Sequence, residues 1–502
     1  MRWLISSFFL AGHVVILALA FCKLFAVYLN IWASALRETY SIEYEGHVFW
    51  AVEQLARGMN IYNPATLSSE PWAVVIYNPL FICLGAAATS IFGMEFWVLR
   101  LITITAACFS VAGLHLLMRR SGSGILAALT ADAFFLAFMP VAYWSCLARV
   151  DFLGLAFAIW STERFVAAWK RAPTDGGSVR AYASAIILFL LAYFTKQQYF
   201  VFALSWIVFL LWNKRKRLAI KLFAVCLGLV AASTLLLQLA TGGYLQHLAF
   251  AGRLPWEWKT LQYHLNIMAK DPKTAAGLIT VLIAMIQARK LPEPERLPVA
   301  LLAISFPLVL YTMGLRGAYH NHMLSSICGV TWWVALAIQR LPGWVGCALA
   351  AVILISANEP EFVEKKIGRC LYAHTGTQFW MTRLCKDQIV ARPILMEDPS
   401  YALLYGAKPV IVDVTTFMNV WKSNPALMEP LIENIEHHRY PAIVINVADS
   451  SRAADLIWPR QVVQTIRLHY LPAGRFQGNG NWQVIYLPRQ DGDEDSSDAA
   501  QP

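Results

Sequence analysis

Long apolar runs separated by short polar or basic segments occupy the first 357 residues of this 502-residue chain. A helix needs about 20 apolar residues to cross the roughly 30 Å hydrocarbon core of a bilayer. The shorter runs would depend on neighbouring helices or on polar ends that reach the interface. The pattern predicts an α-helical polytopic membrane protein. The 11 predicted spans are 3–29, 96–118, 122–141, 151–168, 180–195, 197–212, 217–241, 274–288, 297–313, 321–339 and 342–357.

The composition agrees with the apolar pattern. Hydrophobic residues make up 58% of the chain and charged residues only 14%, whereas soluble domains carry about 25% charge. A water-soluble fold and a disordered chain are therefore both excluded. The net charge of +10 is typical of basic cytoplasmic loops, so it does not indicate nucleic acid. The nine cysteines show no zinc-ligand spacing, and neither a metal nor another cofactor is predicted.

The apolar segment 72–93 needs separate treatment because Asn78-Pro79 starts a new helix inside it. Only 16 residues remain to Gly93, or about 24 Å of helix, which is short for a span. If this segment does not cross and the N-terminus is cytoplasmic, all the basic clusters fall on the cytoplasmic side, as the positive-inside rule requires. These clusters are 119–120, 170–171, 214–217, 289–290 and 340.

This topology predicts a multi-pass protein of the inner membrane with a large first external loop, 30–95. It also places the part of the chain after residue 357 outside, on the periplasmic side. In that oxidising compartment Cys370 and Cys385, 15 positions apart, are candidates for a disulfide.

The C-terminal part shows a different pattern, in which short apolar strands alternate with helix-like stretches. Such alternation predicts a small α/β domain with parallel strand pairing. We expect a transmembrane domain over 1–357, an external α/β domain over 358–490 and a disordered acidic tail over 491–502. The predicted strands are 392–397, 409–414, 441–447, 461–469 and 481–488, and the predicted helices are 399–405, 425–438 and 451–458.

The predicted external face collects charged residues from separate parts of the chain. Glu43 and Glu45 lie in the first loop, where apolar side chains recur at helical spacing up to Gly58. Glu45 would begin this amphipathic helix, which is suited to the membrane interface. A carboxylate there is favoured by the helix dipole alone. The alternative is a general base that takes a proton from an acceptor hydroxyl.

Cations occupy the other external turns. Arg149 and Asp151 lie at the outer end of span 4, and Lys196 lies in the tight turn between spans 5 and 6. A local ion pair and an interfacial anchor are the simple explanations. However, charges at membrane depth are usually paired or functional, and the same applies to Arg100 and to His320 with His322. Cations beside carboxylates suit a transferase whose lipid-linked donor carries a phosphate leaving group.

The order of several short motifs resembles the GT-C glycosyltransferases. The resemblance is strongest to the branch of the protein O-mannosyltransferases and the lipid A aminoarabinose transferase, and it extends by layout over about residues 1–340. Asp151 corresponds to an acidic residue after span 3 of that family, and Thr195-Lys196 is similar to its Leu-Thr-Lys-Gly turn. The first-loop and second-span motifs are Glu45-Gly46, Ala51, Leu55, Gly58, Ile61-Tyr62, Tyr77-Asn78-Pro79-Leu80, Phe92-Gly93 and Arg100.

The resemblance implies inverting transfer of a sugar from a polyprenyl-phosphate donor to a glycan, lipid or protein acceptor at the external membrane face, with 72–93 as a juxtamembrane region. The implied catalytic carboxylates are Glu45 first, with Glu43 and Asp151 as alternatives. Candidates for the donor phosphate are Lys196, Arg149, Arg100 and His320, and candidates for other substrate contacts are Tyr77, Asn78 and His322.

Two departures from the family pattern concern the same site. Tyr44-Glu45 stands where the family often has Asp-Glu, and Tyr77-Asn78-Pro79 replaces its Lys-Pro-Pro. A transporter or flippase of lipid-linked sugars is the main alternative, although the sequence shows no inverted repeat. A non-catalytic assembly protein whose α/β domain binds a partner is a third hypothesis.

Overall fold

The computed structural model describes residues 2–42, 45–171, 178–270, 292–341, 363–365, 367, 391–446, 458–478 and 481–489. The predictions for spans 274–288 and 342–357, for Glu43, for the Cys370–Cys385 disulfide and for the acidic tail lie outside these residues. So does almost all of the predicted helix 451–458. The described part of the chain is mostly helical, with one small sheet.

Every predicted span within the described residues is helical, although 122–141 is divided by a break at Phe138. Short 3-10 turns precede the helices that start at 183, 200 and 324. The helices are α1 Arg2–Arg37, α2 Gly46–Ala56, α3 Leu80–Phe92, α4 Phe96–Ser121, α5 Ile125–Ala137, α6 Met139–Trp144, α7 Asp151–Arg171, α8 Ala183–Thr195, α9 Phe200–Trp212, α10 Lys216–Thr241, α11 Tyr244–Ala251, α12 Trp258–Lys270, α13 Arg296–Met313 and α14 Leu324–Arg340.

Among the described residues, five helices are long and apolar enough to cross a membrane. Helix α4 packs between α7 and α5, while α13 packs against α9 and α14. Asp132, which lies in the middle of α5, is paired with His115 of α4, with 2.7 Å between Oδ2 and Nδ1. A buried carboxylate in an apolar bundle needs such a partner.

The described basic residues Arg120, Lys170 and Arg340 lie together at one end of this bundle. Arg120 Nε is 2.5 Å from Glu163 Oε1 of α7, and Lys170 donates to the carbonyl of Arg120. The turn after α4 in turn contacts the end of α14, where the Gly124 amide donates to Gln339. The contacts agree with the predicted clustering of basic residues at one face.

The segment 72–93 does not form one continuous helix. Trp72 forms an isolated bridge, residues 73–79 form neither helix nor strand, and α3 has 13 residues, about 20 Å of helix. Helix α3 packs on α2 and α4. The first loop thus contributes two short helices to the same end of the bundle as the start of α4.

The C-terminal sheet region, residues 391–446 and 458–489, contains a five-stranded sheet in the order β2-β1-β3-β5-β4. Strand β1 is parallel to β2 and β3, whereas β5 is antiparallel to β3 and β4. The sheet is therefore mixed, and the prediction of parallel pairing holds for half of it. The elements are β1 Pro393–Met396, α15 Pro399–Leu404, β2 Lys408–Pro409, α16 Val414–Ser423, α17 Glu429–Glu436, β3 Ile443–Asn446, α18 Arg460–His469, β4 Tyr470–Gly478 and β5 Asn481–Pro488.

Two strand predictions were wrong. Residues 461–469 form helix α18, because Val462, Thr465 and Ile466 are spaced to bury one helical face. The segment 409–414 contributes only Pro409 to β2, and α16 begins at Val414.

The C-terminal sheet region shares a core with the first loop and with α11. The Trp72 amide donates to the Val410 carbonyl and the Val412 amide donates to the Trp72 carbonyl, both at 2.9 Å. The Trp72 ring packs edge-on against Trp421, with 5.5 Å between centroids. The sheet region therefore rests directly on the first loop.

Candidate functional site

Three charged residues from different helix termini meet in one buried cluster. Arg149 and Asp151 lie at the entry to α7, and Lys196 lies between α8 and α9. Lys196 Nζ is 2.5 Å from Asp151 Oδ1, and Arg149 Nε is 3.8 Å from Asp151 Oδ2. Asn321, just before α14, donates to the same Asp151 Oδ1 at 2.9 Å. The residues predicted from separate external turns are thus neighbours.

Tyr77 and His47 form the wall of this cluster beside Arg149. Arg149 Nη2 donates to the Tyr77 hydroxyl, and the guanidinium lies 5.2 Å from the centroids of both the Tyr77 and Trp144 rings. Arg149 Nη1 is 3.4 Å from His47 Nε2. Burial lowers the pKa of His47 well below its usual range, and the Arg149 charge adds to this. His47 is therefore neutral and can accept from the guanidinium.

Asp151 has one engaged oxygen and one open oxygen. Among the described residues, Oδ2 has no hydrogen-bond partner, while Oδ1 binds Lys196 and Asn321. Burial lowers the pKa of Lys196, and the ion pair with Asp151 opposes that shift. Arg149 and Lys196 carry two positive charges and share the single negative charge of Asp151. The net positive charge of the three residues attracts a further anion such as a phosphate.

Glu45 and Arg100 form a second, fully buried ion pair. Glu45 Oε2 accepts from Arg100 Nη2 at 2.6 Å and from the Ile42 amide at 2.7 Å. Its Oε1 accepts from Arg100 Nε at 3.0 Å and from the Ala148 amide. Both oxygens are thus occupied by donors from α4 and from two loops. Arg100 also donates to the carbonyls of Ala35, Glu38 and Tyr40, so this pair joins the end of α1 to α2 and α4.

Asn78 is likewise engaged within the protein. Its amide donates to the Tyr193 carbonyl of α8, and its oxygen accepts from the Tyr244 hydroxyl of α11 at 2.5 Å. These contacts attach the first loop to two other helices and thereby hold the preceding Tyr77 at the cluster.

The two predicted histidines, His320 and His322, lie in the 3-10 turn that precedes α14. The His320 ring packs edge-on against His264 of α12, with 5.1 Å between centroids. His322 borders a small cavity beside Gln198 and Ser305. Within the described residues, no group of three or more His, Cys, Asp or Glu side chains is placed to hold a metal ion.

His47 and His264 were missed by sequence reasoning, whereas Asn321 lies between the two predicted histidines and was not assigned a role of its own. His47 follows directly after Glu45-Gly46 and Asn321 separates the two predicted histidines, so adjacency to predicted residues was the available signal. His264 lies in a helix with no such motif, and only the packing of α12 brings it to His320.

The sequence and the fold were compared with known proteins. Residues 77–238 match the family model of dolichyl-phosphate-mannose-protein mannosyltransferases. No curated protein matches the chain. Among solved structures, ArnT from Cupriavidus metallidurans in the apo state is similar with a TM-score of 0.61 at 11% identity, covering 93% of this chain and 97% of that one.

The same ArnT bound to undecaprenyl phosphate matches with a TM-score of 0.59 at 11% identity, with the same coverage of 93% and 97%. The oligosaccharyltransferase AglB from Archaeoglobus fulgidus, in complex with an inhibitory peptide and a dolichol-phosphate, matches with a TM-score of 0.55 at 11% identity over 95% of this chain and 74% of that one. At such identities the shared property is the fold. The resemblance to GT-C membrane glycosyltransferases is confirmed, and the fold is that of a multi-pass membrane protein.

Proposed function

We propose that this chain is an inverting glycosyltransferase that moves a sugar from a polyprenyl-phosphate donor to a glycan, lipid or protein acceptor. The observation that carries the proposal is the buried cluster in which Arg149 and Lys196 share Asp151. All three residues lie inside the segment that matches the mannosyltransferase family model. The solved relatives were obtained with undecaprenyl phosphate and a dolichol-phosphate, which is the donor chemistry proposed here.

The proposed role of Arg149 and Lys196 is to bind the donor phosphate. As the bond between the anomeric carbon and the phosphate oxygen breaks, the electron pair and its charge move to the phosphate. Cations placed there stabilise the transition state more than the ground state. Asp151 orients both cations, because its carboxylate contacts each of them.

The acceptor hydroxyl attacks the anomeric carbon from the face opposite the phosphate, so a single displacement inverts the centre. Its proton passes to a carboxylate on that opposite face. In this proposal Asp151 is assigned to the two phosphate-binding cations that it contacts, and the oxygens of Glu45 already accept from donors of the protein. We therefore favour Glu43 as the base, with Glu45 in a supporting ion pair with Arg100.

The proposed location is the inner membrane, with the site and the C-terminal sheet region on the periplasmic side. The basic clusters at the opposite end of the bundle support this orientation. A lipid-linked sugar would then reach the cluster from the outer leaflet.

Binding of undecaprenyl phosphate tests the proposal without knowledge of the acceptor. Native mass spectrometry of the purified protein should show a bound lipid, and K196M and R149M should each weaken it at least tenfold, the energy of one charged contact. K259M is the control, because Lys259 is exposed on α12. Absence of binding to the wild type, or equal binding by K196M and K259M, would remove the basis of the proposal.

A further inference from the structure

Three large aromatic side chains are exposed together where the start of α12 meets the end of α13. Trp256 is 44% exposed, Trp258 is 62% exposed and Tyr311 is 59% exposed. The two indole rings lie 6.3 Å apart between centroids, and Trp256 Nε1 donates to the Tyr311 carbonyl at 3.0 Å. We call these three residues the aromatic patch. An exposed apolar cluster of this kind marks a surface for another molecule or for a membrane.

The depth of the aromatic patch follows from α13, which is long and apolar enough to cross a membrane. Glu295, just before α13, pairs with Arg340 at the basic end of the bundle. Tyr311 lies 16 positions after Glu295, about 24 Å along a helix axis, and therefore near the opposite membrane surface. The hydrogen bond to the Tyr311 carbonyl holds Trp256 at the same level. The patch thus lies at the depth of the lipid headgroups.

The chemistry of this surface fits phospholipid headgroups. Trp and Tyr are enriched at membrane–water interfaces, because each joins an apolar ring to a polar group. Residues 244–270 include one carboxylate, Glu257, and its Oε1 is 2.5 Å from Arg316 Nη2. The negative charge next to the patch is therefore paired and does not repel lipid phosphates. A soluble partner would have to displace headgroups to reach side chains at this depth.

The opposite face of α12 contacts the turn that leads into α14. His264 is buried, and its ring packs edge-on against His320 with 5.1 Å between centroids. Asn321 follows His320 in the chain and donates to Asp151 Oδ1 at 2.9 Å. Helix α12 therefore connects the aromatic patch, through the His320–Asn321 turn, to the charged cluster.

We propose that the aromatic patch docks α12 on the phospholipid headgroups of the leaflet nearest the charged cluster, and that this docking holds the His320–Asn321 turn beside Asp151. The docking surface does not depend on the proposed function. Its effect on the lipid-linked donor does rest on that function, because the donor would occupy the same leaflet. The membrane surface is then one of the elements that position the site.

Spin-label accessibility tests the docking without any transfer assay. A nitroxide is attached at W258C in vesicles of phosphatidylethanolamine and phosphatidylglycerol, with the native cysteines replaced by serine. L227C, on the exposed side of α10, is the hydrocarbon reference, and E436C, exposed on α17, is the aqueous reference. We expect W258C to show accessibility to oxygen and to a water-soluble nickel chelate between those of the two references.

Two results of this measurement would overturn the proposal. Accessibility of W258C equal to that of E436C would place the patch in water. Protection of W258C from both reagents would show that protein covers the patch, from a partner or from a second copy of the chain.

Donor kinetics test the link between the membrane surface and the site. In proteoliposomes W258A should raise the KM for the lipid donor about three- to tenfold, since part of the burial of one large side chain is lost. In detergent micelles, which lack a bilayer surface, W258A and the wild type should have equal KM values. L468A is the matched control, because Leu468 on α18 is 70% exposed and lies outside the patch.

The two experiments separate the docking from the proposed function. Equal KM values for W258A and L468A in proteoliposomes would overturn the link to the site. An inactive wild type with W258C at the interface would overturn the proposed function and support the docking surface.

Discussion

Carboxylates of the same chemical type have different environments in this protein, and the environments separate their roles. Glu45 receives donors on both oxygens, whereas Asp151 keeps Oδ2 without a hydrogen bond in the described part of the chain. A carboxylate with no open lone pair oriented to a substrate cannot take its proton without first losing a donor. The Glu45–Arg100 pair is thus best explained as a support for the first loop.

Breaking that pair should mainly affect stability. E45Q and R100M each leave a buried charge without its partner, which typically costs about 3–5 kcal/mol. Thermal unfolding followed by intrinsic fluorescence in detergent should report a large drop. E53Q is the control, because Glu53 pairs with the largely exposed Arg57 and such pairs contribute about 0.2–1 kcal/mol. If E45Q had wild-type stability and no turnover, Glu45 would be assigned as the general base.

Glu43 should show the opposite behaviour if it is the base. General base catalysis is worth about 10²–10⁴-fold, so E43Q should lower the transfer rate by that range while the protein unfolds at the wild-type temperature. Activity is measured per unit of folded protein in membranes, with E53Q as the matched carboxylate control. A mild effect of E43Q together with a severe effect of D151N would transfer the role to Asp151.

At the scale of elements, the contact between the first loop and the C-terminal sheet region is the least expected feature. Trp72 is 3% exposed and joins a core with Phe250 of α11 and Phe417 of α16. Trp72 pairs with the backbone of Val410 and Val412, next to the edge strand β2. The apolar residues that follow Pro409 therefore contact the first loop and do not extend the strand.

Removal of the Trp72 side chain should therefore loosen this contact. W72A is expected to cost about 3–5 kcal/mol, as for other buried aromatic truncations, and to increase protease cleavage within the C-terminal sheet region. W258A is the control, because Trp258 at the start of α12 is 62% exposed. Equal stability and equal cleavage patterns for the two variants would show that the contact is not significant.

At the scale of the whole molecule, the distribution of charge and the bundle geometry agree. The basic clusters near Arg120, Lys170 and Arg340 lie at one end of the helices, and the Arg149–Asp151–Lys196 cluster lies at the termini on the other end. Separation of this kind is what the positive-inside rule produces in a protein with a site on the external side.

Reporter fusions measure the orientation directly. Fusion of a cytoplasm-specific fluorescent reporter after residue 490 should be dark, and an alkaline phosphatase fused at the same position should be active. Fusions after Ser121, which follows the Arg119-Arg120 cluster at the end of α4, should give the reverse pattern. A fluorescent C-terminal fusion would overturn both the topology and the proposed external site.

Hydropathy and charge in the sequence alone determined the spans within the described residues and identified Arg149, Asp151 and Lys196 as candidates, because apolar length and basic bias act locally along the chain. Hydropathy and charge did not predict the secondary structure of one short amphipathic segment or the contacts of the buried charges. The strand prediction for residues 461–469 is wrong, because burial of one helical face with Val462, Thr465 and Ile466 selects helix α18.

Only the tertiary structure decided what each charge does. Sequence position cannot show that Arg100 occupies both oxygens of Glu45, or that Asn321, 170 positions after Asp151 in the chain, donates to it. The reason is physical: a buried charge is defined by the few groups within hydrogen-bonding or Coulomb range, and packing of distant segments brings those groups together.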